Sequence, residues 1–242
     1  MSSATHLRFE ILRTYRNRRF IVLTLALPLV LFYVVASSER DAHVEGMAFP
    51  LYFMTGMAAY GSLWAVFSPG ARIATDRAKG WTRQVRITPL RTETYFIAKV
   101  LVAYLVALPV LLVLDLAGTS LGVRLSAVEW LEMTGLLLVG LTPFVVMGVI
   151  VGHTVAADSL APALGGLVVL FALFGGAFGQ FFTGGTMLSV VQLLPSYWLV
   201  QASKAAIAGG GWPIEGWLVI AVWTVAMIAL AVPAYHRDTA RA

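Results

Sequence analysis

The hydrophobic pattern of this chain consists of six long apolar runs separated by short polar connections. The runs are centred on about residues 20–36, 49–71, 95–117, 131–156, 160–182 and 214–234. A helix needs about 20 apolar residues to cross the roughly 30 Å hydrocarbon core of a bilayer, and the runs have lengths of that order. The ten-residue alternation of an outer-membrane barrel does not occur in the sequence. The pattern predicts an all-α polytopic membrane protein, with six transmembrane helices in a single transmembrane domain, 1–242.

An amphipathic segment, residues 4–19, precedes the first run. Its apolar residues recur at helical spacing: Ala4, Leu7, Ile11, Leu12 and Tyr15. Its remaining surface carries arginines, among them Arg13, Arg16, Arg18 and Arg19. A helix of this kind lies in the membrane interface with its apolar face in the bilayer, so we predict an elbow helix parallel to the membrane. A cleaved signal peptide is the alternative for the first run, because the small residues of "VVA" at 34–36 suit a cleavage site.

The longest connection, 183–213, is too apolar for a solvated loop. Pro195 and the glycines at 209–211 interrupt it, so one continuous helix is not expected. We predict short re-entrant helices over 183–207, on the extracellular side before the last span, that dip into the membrane or lie on its face.

Composition and charge agree with this class and add an orientation. The chain is 59% hydrophobic and 12% charged, which excludes an ordinary soluble domain. Most basic residues stand in the N-terminal segment, the second connection and the tail, whereas the opposite side has Arg40, Arg124 and Lys204. Basic residues near the ends of membrane spans are retained in the cytoplasm. We therefore expect a multi-pass protein of the plasma membrane, of the bacterial inner or cell membrane type, with both termini cytoplasmic.

The second connection contains a predicted short helix, residues 76–89. Lys79, Arg83 and Arg86 fall at i, i+4 and i+7 and form one basic stripe, and Pro89 ends the helix. One interpretation is that the stripe only sets the topology and contacts anionic lipid headgroups. The other is that the helix binds a cytoplasmic partner.

Two stretches resemble the type-2 ATP-binding-cassette (ABC-2) transporter permeases, which are the membrane subunits of drug, antibiotic, lipid and polysaccharide exporters. The first is "DRAKGWTRQVRITPLRTETYFIAKVL", where Asp76, Arg77, Gly80, Pro89, Leu90 and Lys99 match the family pattern. The second is "GGAFGQFFTGGTMLSVVQLLPSYWLV", which is similar to the glycine-rich end of the fifth span and the re-entrant helices of that family. Together with the order of the spans, the resemblance covers nearly the whole chain.

The resemblance implies a coupling helix that fits into a groove of a separate ATPase subunit, flanked by the elbow helix. The implied ATPase-coupling residues are Asp76, Arg77, Lys79, Gly80, Arg83, Arg86, Pro89 and Leu90. It also implies a pair of permease subunits, identical or different, with a substrate path between them. The candidates for that path are Met54, Met57, Tyr60, Trp64, Phe171, Phe174, Phe178 and Gln180, although ordinary packing is the simpler interpretation for any one of them.

Catalytic chemistry is not expected in this chain. A phosphate-binding loop needs Gly-Lys followed by Ser or Thr, whereas Lys79, Lys99 and Lys204 follow Ala, Ala and Ser. ATP and magnesium would therefore be bound by the partner ATPase, and we predict neither a cofactor nor a metal here. Asp41, His43 and Glu45 stand at alternate positions in one connection and could hold a divalent ion, but a solvated extracellular loop is the favoured interpretation.

The alternative function is an ion-coupled secondary transporter. It would use Asp115, His153 and Asp158 as a relay, because ionisable residues near membrane spans are often functional. Small residues at a spacing of four, Gly148 with Gly152 and Gly175 with Gly179, predict close helix contacts within the bundle or across a dimer.

Overall fold

The computed structural model describes residues 18–44, 46–79, 92–179, 181–182 and 184–241, and the chain is mostly helical. The prediction of a mostly helical protein is confirmed. In chain order the helices within these ranges are α1 (Arg18–Ser38), α2 (Phe49–Ala78), α3 (Thr92–Ser120), α4 (Ala127–Gly140), α5 (Thr142–Thr154), α6 (Ala157–Gly175), α7 (Gly185–Gln192), α8 (Pro195–Val200), α9 (Ala202–Ala208) and α10 (Ile214–Arg241). Between α1 and α2 lies a small antiparallel hairpin of β1 (His43–Val44) and β2 (Met47–Ala48).

Four helical stretches in the described part of the chain are long and apolar enough to cross a membrane. They are Phe96–Ser120, Ala127–Thr154, Ala157–Gly175 and Ile214–Ala234, which correspond to the last four predicted runs. The first two runs are also helical, in α1 and α2. Within α1, the stretch Thr24–Ser38 is a shorter apolar helix. Helix α2 is not among the four stretches. The count of six spans therefore stays a prediction.

Helix α2 forms the centre of the bundle. From Pro50 to Gly70 every side chain except that of Trp64 is buried, and the helix packs against α1, α3, α5 and α6. Because other helices cover it, α2 can carry small and polar residues such as Thr55 and Ser62, whose hydroxyls bond carbonyls of their own helix. These residues lower its average hydropathy without exposing polar groups to lipid.

Glycines bring α2 and α5 into backbone contact. A Cβ atom added at Gly70 would overlap the Gly148 carbonyl oxygen, and one added at Gly152 would lie 2.5 Å from the Gly70 carbonyl oxygen. Of the predicted small-residue contacts, Gly148 and Gly152 therefore pack within this bundle, against α2. Gly175 also packs closely, with a Cβ position 2.7 Å from the Ser196 carbonyl oxygen, whereas the Cβ position of Gly179 meets nothing within 4 Å.

The predicted run 131–156 forms two helices, α4 and α5, that meet at Leu141. A capping box starts α4: the Ser126 backbone N–H donates to Glu129 Oε2 at 2.6 Å, and the Glu129 N–H donates to Ser126 Oγ at 3.3 Å. Pro143 in the first turn of α5 cannot donate a backbone hydrogen bond, which accounts for the interruption. A hydrogen bond of 2.8 Å between the hydroxyls of Tyr104 and Thr142 joins this point to α3.

Helix α6 ends earlier than the predicted run 160–182. Gly176 has a φ of +83°, and the Ala177 N–H donates to the Ala172 carbonyl oxygen at 2.8 Å while the Gly176 N–H donates to that of Leu173 at 3.1 Å. This is the Schellman arrangement, which satisfies the last carbonyls of a helix and favours glycine in the left-handed position. Phe178 and Gly179 consequently lie in a turn beyond the helix.

Three short helices, α7 to α9, occupy the segment predicted to be re-entrant at 183–207. Most of α8 is buried against α4, α6 and α10, whereas α7 exposes Met187 and Val190. Two indole groups hold the end of α7: Trp198 Nε1 donates to the Gln192 carbonyl oxygen, and Trp223 Nε1 donates to that of Leu193, both at 2.8 Å. The predicted division into short helices is present, and their position relative to a membrane stays a prediction.

Candidate functional site

The predicted ATPase-coupling residues begin at the end of α2. Asp76 and Arg77 lie in its last turn, so α2 continues without a break into the segment predicted to be a separate helix at 76–89. Asp76 is buried, Arg77 is half-buried and Lys79 is exposed. Gly80, Arg83, Arg86, Pro89 and Leu90 lie outside the described residues. Of the predicted elbow arginines, Arg13 and Arg16 also lie outside them, whereas Arg18 and Arg19 begin α1.

Arg77 binds the end of α5. Its Nη1 donates to the carbonyl oxygens of Gly152, at 3.1 Å, and Val155, at 3.3 Å. The last four carbonyls of a helix have no donor within the helix, and its C-terminus carries a partial negative charge. A guanidinium at this position satisfies two carbonyls and complements that charge. Arg77 therefore joins the end of α2 to the end of α5, and we name this contact the Arg77 clamp.

Other ionisable residues converge on the same end of the bundle. His153 follows Gly152 on α5, is buried, and lies with its ring centroid 6.4 Å from that of Phe96 on α3. Lys99, one turn further along α3, is only 2% exposed. Asp76 precedes Arg77 on α2. The end of α2, the start of α3 and the end of α5 thus form one polar junction, from which the segment 80–91 departs and to which it returns.

The predicted substrate-path residues fall into two groups. Met54, Met57 and Tyr60 are buried inside the bundle, where an added Cβ at Gly118 would overlap the Met54 sulfur. Trp64, Phe171, Phe174 and Phe178 are half-buried, and Gln180 lies outside the described residues. Two of these half-buried residues contact other aromatic rings. The ring centroid of Phe178 lies 5.2 Å from that of Tyr60, and Phe174 stacks on Phe182 with the centroids 6.0 Å apart. These aromatic residues are the members of the set that a neighbouring molecule can reach.

Two residues of the alternative relay, Asp115 and His153, lie far apart. Asp115 is buried near the opposite end of α3, where Thr134 Oγ1 donates to its Oδ2 at 3.2 Å. Phe96, which contacts His153, is nineteen residues away on the same helix, about 28 Å at 1.5 Å per residue. Asp158 is exposed in the first turn of α6. Asp115 and His153 are thus separated by most of a membrane thickness.

Two of the alternating charged residues lie at the start of the hairpin: Asp41 precedes β1, and His43 belongs to it. His43 is exposed, and its Nδ1 lies 3.1 Å from the carbonyl oxygen of Asp41. Glu45 lies outside the described residues. In α9, partial burial lowers the pKa of Lys204 by desolvation.

Two contributions to the site were not singled out from the sequence. Gly70 is the partner of Gly148 and Gly152, and its signal is the small-residue stretch "SPGA" near the end of an apolar run. Thr134 is the partner of Asp115, and a threonine within a long apolar run gives little indication of what it faces. A pattern within one helix identifies small or polar faces, but not the helix that each face meets.

Comparison with known proteins gives a similarity that extends along most of the chain. The chain is 25% identical over 226 residues to "Putative transport permease YvfS" of Bacillus subtilis (strain 168), and the alignment covers 92% of each chain. The similarity supports a transport permease. Together with the four apolar helices, it points to a membrane protein. No protein-family model matches the chain.

Proposed function

We propose that this chain is the transmembrane permease subunit of an ABC exporter, driven by ATP hydrolysis on a separate ATPase subunit. The observation that carries the proposal is the attachment of the basic segment 80–91. One end continues from α2, the central buried helix, and the other leads into α3, and both helices meet α5 at the polar junction. A force applied to this segment would act directly on the core of the bundle.

The physical argument is one of rigidity. Helix α2 has 30 residues and is about 45 Å long, so a displacement of its end is carried across the bundle rather than absorbed in a loop. Close-packed interiors deform little and move as units. The basic residues Lys79, Arg83 and Arg86 would contact acidic groups of the ATPase, and the elbow helix would lie beside this contact.

The proposed assembly contains two permease subunits, identical or different, and two ATPase subunits that bind ATP and magnesium. The cargo is an amphipathic small molecule, lipid or glycan that leaves the cytoplasm, and export of a drug or antibiotic would confer resistance. Trp64, Phe171, Phe174 and Phe178 are partly exposed and can contribute a soft, apolar surface between the subunits. The plasma membrane, with both termini in the cytoplasm, is the expected location.

Charge reversal in the segment tests the proposal. We expect Arg83→Glu combined with Arg86→Glu to abolish co-purification of the ATPase and its stimulation by the permease, because like charges then oppose each other at the contact. The matched control is Arg237→Glu with Arg241→Glu, which reverses two basic residues of the tail. Vanadate-sensitive ATP hydrolysis of complexes in liposomes is the measurement. Unchanged stimulation in the first variant, with normal membrane insertion, would refute the proposal.

The ion-coupled alternative makes a different prediction for Asp115. A relay would need this carboxyl to exchange protons, whereas in the exporter it only accepts the hydrogen bond of Thr134. We expect Asp115→Asn, whose amide oxygen can still accept that bond, to leave ATP-driven transport unchanged. Transport that stops in this variant while the protein stays folded, and that a proton gradient alone drives in the parent, would favour the carrier.

A further inference from the structure

The connection between α5 and α6 lies at the polar junction, and we call it the α5–α6 hinge. Helix α5 ends at Thr154 and α6 begins at Ala157, so only Val155 and Ala156 separate them, and both residues have extended backbone conformations. Two extended residues between helices permit a change of angle. Arg77 holds one of the two hinge carbonyls, that of Val155, and also that of Gly152 in the last turn of α5.

Helix α6 is suited to move about this hinge. Only 22% of its most apolar stretch is buried inside the chain, compared with 61% for the stretch formed by α4 and α5. The α4–α5 pair is therefore largely covered by the bundle, whereas α6 is covered on one face only. Its far end leads to Phe171, Phe174 and the turn with Phe178, the partly exposed aromatic residues described above.

We propose that Arg77 is a positioning residue that transmits movement of the end of α2 to α6, and that it does so by setting the α5–α6 hinge rather than by contacting a partner protein. The inference rests on the proposed function for the source of the movement. Gly70, Gly148 and Gly152 keep the backbones of α2 and α5 in contact, so the clamp joins two elements that already move together. Through Val155, it adds the start of α6 to that unit.

The chain offers a clean measurement, because it contains no cysteine. Cysteines introduced at Ala78, at the end of α2, and at Leu170, on the exposed side of α6, would be the only sites for spin labels. Double electron–electron resonance then reports the distribution of distances between the two helices. We expect a narrow distribution in the parent, and a shift of its mean when the complex with the ATPase is trapped with ATP and vanadate.

Three substitutions decide the role of Arg77. Arg77→Met removes both hydrogen bonds. We expect it to broaden the distribution of distances between the labels and to remove the nucleotide-dependent shift. Transport should fall by about tenfold or more, because two hydrogen bonds from a charged group are lost. Arg77→Lys retains the positive charge but places a single ammonium nitrogen on a shorter side chain, and should give an intermediate width. Arg124→Met is the matched control, since Arg124 is an exposed arginine in the connection between α3 and α4, and its distribution should equal that of the parent.

The outcomes separate this inference from the proposed function. A narrow distribution and a normal shift in Arg77→Met would overturn the clamp, even if the variant were less stable to heat. If Arg77→Met does not fold, the width in Arg77→Lys decides in the same way. If no ATPase joins the parent complex, the proposed function fails, whereas the width measured on the permease alone still tests the hinge.

Discussion

At the scale of single residues, the contact between α2 and α5 depends on Gly70. A Cβ at this position would overlap the Gly148 carbonyl oxygen, which belongs to the backbone and cannot rotate away. We expect Gly70→Ala to push the two helices apart and to destabilise the protein by about 1–3 kcal/mol, the usual cost of overpacking. Thermal unfolding in detergent, followed by circular dichroism, would measure the loss.

Gly166→Ala is the matched control for that substitution. Gly166 also lies inside a helix, α6, but nothing stands within 4 Å of its Cβ position. Because alanine favours helix by roughly 0.5–1 kcal/mol over glycine, the control should be neutral or slightly stabilising. If Gly70→Ala were as stable as Gly166→Ala, α2 and α5 could separate without cost, which would contradict their close contact.

At the scale of secondary-structure elements, the capping box fixes where α4 begins. Ser126 and Glu129 exchange hydrogen bonds at its first turn. We expect Ser126→Ala to cost about 1 kcal/mol, which for a protein of this size lowers the melting temperature by roughly 2–4 °C. The control is Ser37→Ala, because the exposed Ser37 hydroxyl bonds only a carbonyl of its own helix, at 3.4 Å. An unchanged melting temperature for Ser126→Ala would contradict the role of the cap.

The existence of the helices was predictable from the apolar runs, but several of their ends were not. Run 160–182 stays apolar beyond Gly175 because Ala177 and Phe178 also pack in the bundle, although the chain has already turned at Gly176. Asp76 looked like the start of a polar helix because it is charged, yet it is buried in the last turn of α2. Hydrophobicity indicates which residues are buried, whereas the end of a helix depends on which carbonyl groups accept hydrogen bonds from outside the helix.

At the scale of the whole molecule, the arrangement has two distinct ends. One end has the polar junction of Arg77, Lys99 and His153, and the other has Asp115 with Thr134, about 28 Å away along α3. The sequence pattern identified most of these residues as candidates. It could not divide them between two ends or pair them with partners, because contacts between helices such as that of Arg77 with Gly152 join positions 75 residues apart.

The same arrangement makes the orientation in the membrane testable. Helix α2, about 45 Å long, separates the hairpin side from Lys79, and roughly 30 Å of hydrocarbon fits between them. Single cysteines replacing the exposed residues Arg40 and Thr119 should react with a membrane-impermeant maleimide in intact cells, because few basic residues hold that side in the cytoplasm. Cysteines at the exposed positions Lys79 and Ser159 should react only after permeabilisation. Labelling of Lys79→Cys from outside would place the basic segment beyond the reach of any cytoplasmic ATPase, and the exporter proposal would then fail while the fold and the Arg77 clamp would stand.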